Sequence, residues 1–243
     1  MYNLRTKVMI KENLEAVRAT LPQNTTLVAV SKFHPAEMLQ EAYDAGQRIF
    51  GESRENELKQ KDAVLPHDIQ WHFIGHLQTN KVKYLMPMVS LIHSVDSERL
   101  LDEIQRQALR FASERMARFG TSKVSVLLQL HVAQEETKSG FAPEELINLL
   151  SQTHISERWP NIEFRGLMGM ASFVDDEAQW RKEFRSIMAC YHDLINGPLT
   201  SQGIDKEQFS ILSFGMSTDY QVAIEEGANM VRIGTSIFGE RIY

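Results

Sequence analysis

Short apolar runs alternate with longer stretches of helical spacing along the chain. The runs are LVAVSKF (27–33), RIF (48–50), WHFIG (71–75), VSLIHSV (89–95), KVSVLLQLHV (123–132), IEFRGLMGM (162–170), FSILSFGM (209–216) and NMVRIG (229–234). Several are apolar at consecutive positions, the pattern of strands covered on both faces in a parallel sheet. Between them, Leu39, Ala42 and Tyr43 share one helix face. So do Leu101, Ile104, Ala108, Phe111 and Ala112, and then Trp180, Phe184, Ile187, Met188, Tyr191 and Ile195. Gly46, Gly120 and Gly227 fall just past helical stretches, where a left-handed C-terminal cap is common. Eight strand–helix units without a break in composition predict a single (β/α)8 TIM barrel spanning residues 1–243, preceded by an N-terminal helix at 2–20. The competing arrangement is an open doubly wound sheet. No Gly-x-Gly-x-x-Gly turn follows the first strand, which weakens its dinucleotide-binding form.

Composition narrows the class. Of 243 residues, 43% are hydrophobic and 24% charged, which are globular values. A formal charge of −6 gives no general attraction to nucleic acid or to acidic membranes. The single cysteine, Cys190, rules out an intramolecular disulfide framework and a cysteine-based zinc cluster, and fits a reducing compartment. No apolar run approaches the roughly 20 residues of a membrane span, and the N-terminus has no signal-peptide core. The expectation is a cytoplasmic protein that binds neither nucleic acid nor membrane.

In such a barrel, chemistry belongs at the C-terminal ends of the strands. Lys32 follows LVAVS there, in phase with Val28 and Val30 and so facing the interior. Desolvation would lower its pKa toward that of a usable amine nucleophile; the alternative is a lysine solvated at the barrel mouth or paired with Glu52. SFGMSTD (213–219) and RIGTSIFGE (232–240) each place Gly, Ser and Thr between a strand and a helix, after the seventh and eighth strands where barrels usually bind phosphate. Either stretch also suits ordinary helix capping, by Ser217 and by Thr235 or Ser236. Arg232, inside an apolar strand, wants a partner: a barrel carboxylate, or a ligand atom near the phosphate.

Other features read as structural. His72 and His76 are four apart but lie on a strand, which disfavours a metal pair, and no metal site is expected. GLMGM (166–170) suits core packing. Cys190 reads as an inert buried thiol, Lys138 in ETKSG as an anion contact or a solvated side chain, and 52–62 as a solvated helix face.

Taken in order, AVSKFHP, AGQRIFGE, WHFIGHLQTNK, ETKSGF, RGLMGM and LSFGMSTDYQVAIEEGANMVRIGTSIFGER resemble the YggS-type pyridoxal 5′-phosphate homeostasis proteins. Those are in turn similar to the N-terminal barrel of alanine racemase. The resemblance runs from about residue 10 to the C-terminus. It implies that Lys32 forms a Schiff base with the cofactor. It implies that Ser217, Gly234 and Thr235 cradle the phosphate, that Arg232 faces the pyridine nitrogen, and that Ser213, Met168 and His76 line the pocket. Two positions depart from the family pattern. Ser53 stands where an asparagine near the cofactor is common, and His131 where the fifth strand commonly ends in asparagine.

An arginine at the ring nitrogen disfavours its protonation and makes a weak electron sink. No second domain is expected to supply an opposing base. The expectation is therefore a monomeric carrier or regulator of vitamin B6, exchanging cofactor with accepting enzymes and without robust turnover. An amino-acid racemase or lyase is the alternative. A barrel holding a phosphorylated metabolite without a Schiff base is a third reading.

Overall fold

The computed structural model describes residues 9–135 and 139–240. Its strands are β1 (Thr26–Val30), β2 (Ile49–Glu52), β3 (Gln70–Phe73), β4 (Val89–Val95), β5 (Val124–Gln129), β6 (Ile162–Met168), β7 (Ile211–Ser213) and β8 (Met230–Ile233). They pair in sequence order, all parallel, and β8 pairs with β1 through Thr26↔Met230, Leu27↔Val231, Val28↔Arg232 and Ala29↔Ile233. That closing pair makes the sheet a barrel and removes the open-sheet alternative.

Each of the eight apolar runs overlaps one strand. The longer runs extend past their strands because residues such as Leu130 and Phe214 go on burying apolar surface after leaving the ladder. The backbone there turns over the barrel mouth. Alternation along the strands separates two cores. Val28, Leu91, Leu127, Met168 and Met230 form a small cluster inside the barrel. The larger cluster lies between the strands and the surrounding helices, and includes Leu39, Ala42, Leu101, Ile104, Ala108, Phe184 and Ile187.

The predicted helix faces are the buried ones. The helix Glu177–Ile195 buries Phe184, Ile187, Cys190 and Leu194, and burial pushes the Cys190 thiol up to about 12. The stretch 98–119 is two helices, Glu98–Arg110 and Ala112–Phe119, joined at Phe111. Arg115 at the second one lies buried beneath the barrel wall, donating to the carbonyls of Met86, Val89 and Lys123. Burial brings its guanidinium down to about 10. Gly46, Gly120 and Gly227 all take positive φ at helix ends, as their spacing suggests. The N-terminal helix is Ile10–Ala19, with Ile10, Leu14 and Val17 buried; residues 2–8 of the predicted helix fall outside the described residues. Its Asn13 donates to the carbonyl of Ile237 at 3.0 Å, which ties the start of the barrel to its last helix. Among the described residues no helix is long and apolar enough to cross a membrane.

One glycine is fixed by close approach. Gly166 sits at φ +153°, where the β5–β6 register shifts, and a Cβ there would meet the Ile211 carbonyl oxygen at 1.8 Å. Gly166→Ala should lower stability by about 3 kcal/mol, read from the urea midpoint; an unchanged midpoint would mean that β6 and β7 can part without cost.

Candidate functional site

β1, β7 and β8 deliver the predicted residues to one place. β1 ends at Val30, and the turn after it carries Lys32 onto the wall of a cavity of about 260 Å3 at the C-terminal mouth of the barrel. Arg232 of β8 forms its floor, and Ser217, Gly234 and Thr235 line the side beyond β7 and β8. A larger cavity, about 380 Å3, lies among residues preceding β5, β6 and β7, such as Lys123, Trp159 and Gln208. That is the end opposite the one where barrels of this kind carry their chemistry.

The anion-binding side is built from backbone. The helix Thr235–Phe238 opens directly after Gly234, and its first turn leaves the N–H groups of Thr235 and Ser236 without intrahelical acceptors. A Cβ on Gly234 would lie 3.0 Å from the Val30 carbonyl oxygen, so the loop packs closely against β1. Ser217 Oγ accepts weakly from Gly234 N–H at 3.4 Å and thereby bridges the two loops. Capping by side chains is absent here: Asp219 is the N-cap of the helix Tyr220–Glu225 and Gly234 that of the last helix, and neither makes a side-chain cap bond. The hydroxyls of Ser217 and Thr235 are therefore not committed to helix capping.

Arg232 is 4% exposed, and its partners are neutral. Nη1 donates to the Ser213 carbonyl at 2.7 Å and to Ser213 Oγ at 2.8 Å; Nη2 donates to the Gly169 carbonyl at 2.9 Å. The carboxylate ion pair weighed from sequence is not among these bonds. Burial lowers the guanidinium to about 10, against the pull of Asp219, so it stays charged at neutral pH. The Nε–H and one Nη2–H remain for a ligand on the cavity side.

Beneath Arg232 the hydrogen bonds continue into the barrel. Ser213 Oγ is 3.1 Å from His93 Nδ1, and His93 Nε2 is 2.9 Å from His72 Nδ1. Because an arginine can only donate, Ser213 Oγ accepts from it, and the sense of its bond to His93 Nδ1 follows the tautomer of that ring. Burial brings His72 down to about 3 and His93 well below its ordinary value, with the neighbouring His72 ring and the Arg232 charge further opposing protonation of His93. Both rings are neutral. His93 stands out in sequence only as a polar residue in phase with Leu91 on an apolar strand, and spacing alone does not reveal that it meets His72.

The other expected pocket residues are placed differently. Ser213 is fully buried behind Arg232, so it supports the floor without lining the cavity. Met168 belongs to the apolar cluster below, and Met170, two residues on, takes the lining position. His76 is a surface side chain, 62% exposed, within reach of Asp96 and Ser139, and is not part of the wall. His72 points inward while His76 lies outside, so the two do not converge. His131 Nε2 is 3.1 Å from the Glu135 carbonyl, and Lys138 lies outside the described residues. Sequence reasoning missed His34, Ile74, Phe173, Met216 and Thr218, all cavity-lining. The expected solvated face at 52–62 is corrected as well: Leu58 and Lys61 are buried.

The family model for the N-terminal domain of alanine racemase matches residues 8–242. The chain belongs to this family. Within it, a protein of Aquifex aeolicus named pyridoxal phosphate homeostasis protein is 40% identical over 222 residues, covering 89% of this chain and 87% of the relative. The human protein of the same name is 39% identical over 225 residues, covering 89% and 77%. PipY of Synechococcus elongatus PCC7942, solved with PLP bound, superposes with a TM-score of 0.81 at 33% identity, covering 95% of this chain and all of PipY.

The neutral imidazoles give stability a defined pH dependence. A folded-state histidine pKa below the unfolded value of about 6.5 means that the unfolded chain takes up protons first, so stability is lost as pH falls from about 6.5 toward 3. His72→Asn should make the fall in unfolding free energy shallower by up to about 1.4 kcal/mol per pH unit near pH 5. Denaturant titrations at pH 7, 6 and 5 measure this, and parallel slopes for the two proteins would contradict it.

Proposed function

We propose that this protein holds pyridoxal 5′-phosphate as a Schiff base on Lys32 and acts in vitamin B6 homeostasis as a carrier or regulator of the cofactor. The observation that carries the reading is convergence: an amine, a charged donor and a backbone anion cradle meet on one cavity, from three separate segments. The names of the relatives and the PLP-bound structure of PipY support it.

The residues fit the group. The backbone N–H groups around Gly234 and Thr235, with the Ser217 hydroxyl, suit a phosphate without needing a counter-charge. The amine of Lys32 would hold the cofactor through its aldehyde carbon as a C=N bond, with one water released. Arg232 offers N–H donors to the ring nitrogen, which can accept only while unprotonated. When bound, the cofactor would supply an electrophilic carbon and an electron sink, and Arg232 would keep that sink weak. Sequestration fits this electronic setting better than strong carbanion chemistry does, so we place the protein among non-catalytic cofactor handlers in the cytoplasm, delivering to accepting enzymes.

Purified protein given pyridoxal 5′-phosphate should show a visible Schiff-base band. Borohydride should then fix the cofactor mass onto the chain at Lys32. Lys32→Ala should show neither. A mutant that still traps cofactor mass would sink the assignment, and steady turnover of small amino acids by the wild type would favour a racemase or lyase. In Ser217→Ala/Thr235→Ala, cofactor affinity should drop roughly tenfold, about 1.4 kcal/mol, with the band position unchanged. Equal affinity measured by equilibrium dialysis would remove these hydroxyls from the cradle.

A further inference from the structure

The backbone on either side of Lys32 is held by a buried cluster of charged residues from a segment that sequence alone assigns to solvent. Lys61, in the last turn of the helix Glu55–Asp62, has a side chain 6% exposed, and Glu52 at the end of β2 has none of its surface exposed. Lys61 Nζ donates to Glu52 Oε1 and to Glu57 Oε1, each at 2.7 Å, and to the Ser31 carbonyl at 2.8 Å. Ser31 Oγ donates to Glu52 Oε1 at 2.6 Å. Glu57 Oε1 accepts from the Phe33 N–H at 2.6 Å. The residue before Lys32 is therefore gripped at its carbonyl and hydroxyl, and the residue after it at its amide.

That grip acts on a strained turn. Phe33 has φ +67°, the one non-glycine positive φ among the described residues. An L-residue with a bulky side chain pays on the order of 1–2 kcal/mol for that conformation, and keeps it only where its surroundings impose it. The bond to Glu57 and the Arg54 guanidinium stacked 4.6 Å from the Phe33 ring are two such constraints. Burial raises the Glu52 carboxyl to about 7 against the opposing effects of Lys61 and Ser31, and its Oε2 is buried with no hydrogen-bond partner. A buried, half-satisfied carboxyl is a costly way to build a turn if the turn has no task.

We infer that Glu57 and Lys61, braced by Glu52, are positioning residues that lock the turn Ser31–Phe33 so that the Lys32 amine meets a carbonyl carbon in the cavity in reactive orientation. This rests on the Schiff-base reading above and names the residues that make it effective. Displacing a reacting amine by even 1 Å costs about a hundredfold in rate, while non-covalent affinity for the phosphate end, set by the loops after β7 and β8, should hardly change.

The experiment separates these two quantities in the full-length chain. Pyridoxine 5′-phosphate, which has the phosphate and ring but no aldehyde, reports on the cavity alone; the rate of appearance of the Schiff-base band with pyridoxal 5′-phosphate reports on Lys32. Glu57→Leu and Lys61→Met should bind pyridoxine 5′-phosphate within about twofold of wild type yet form the band at least about tenfold more slowly. Glu57→Gln keeps the acceptor for the Phe33 N–H and should recover most of the rate. Wild-type band kinetics in Glu57→Leu would overturn the inference. So would parallel loss of pyridoxine 5′-phosphate binding in Glu57→Leu and Glu57→Gln, since it would show a merely structural role. If Lys32→Ala forms the same band as the wild type, the Schiff-base reading itself fails, an outcome distinct from either of these.

Discussion

A guanidinium sealed inside a barrel cannot keep its charge unless its donors find oxygen, and most of the site is arranged around that requirement. Arg232 reaches the Ser213 and Gly169 carbonyls and the Ser213 hydroxyl, so β6, β7 and β8 have to hold those atoms within hydrogen-bonding distance of one side chain. Gly166 lets β6 lie against β7 closely enough for this, and the neutral pair His93 and His72 completes the hydroxyl's bonding without adding a second charge. A carboxylate in place of these partners would have quenched the positive field at the cavity floor. Neutral acceptors leave that field directed toward whatever occupies the cavity.

The barrel was legible in the sequence because parallel strands covered on both faces leave unmistakable apolar runs, and because glycines mark the helix ends. Lys32, Arg232, Ser217, Gly234 and Thr235 were legible for a related reason: each is a polar or conformationally special residue at the end of an apolar strand. What stayed hidden depends on relations between distant segments. The contact of His72 with His93 joins β3 to β4, and no periodicity within either strand records it. Met168 and Met170 are two residues apart at the end of β6, and only depth in the barrel decides which is core and which is wall.

The segment 52–62 shows the same limit from the other side. Its composition is that of a solvated helix, and five of its eight helical residues are charged. Yet the helix docks with Lys61 inward, because the turn after β1 presents a carbonyl and an amide that need partners there. Charge density in a sequence measures what a helix could offer to water. It does not record what a neighbouring turn demands of it.

The direction of the bonds beneath the cavity has a further consequence. Since Arg232 only donates, its bond to Ser213 Oγ runs from the cavity floor into the barrel, where His93 and His72 continue the row. Moving a proton upward along the row would first require the guanidinium to give one up, and burial leaves it charged until about pH 10. The row therefore behaves as an insulator. It fixes the polarity of the cavity floor while closing that floor to proton traffic, so any acid–base exchange with a bound molecule has to come through the open mouth.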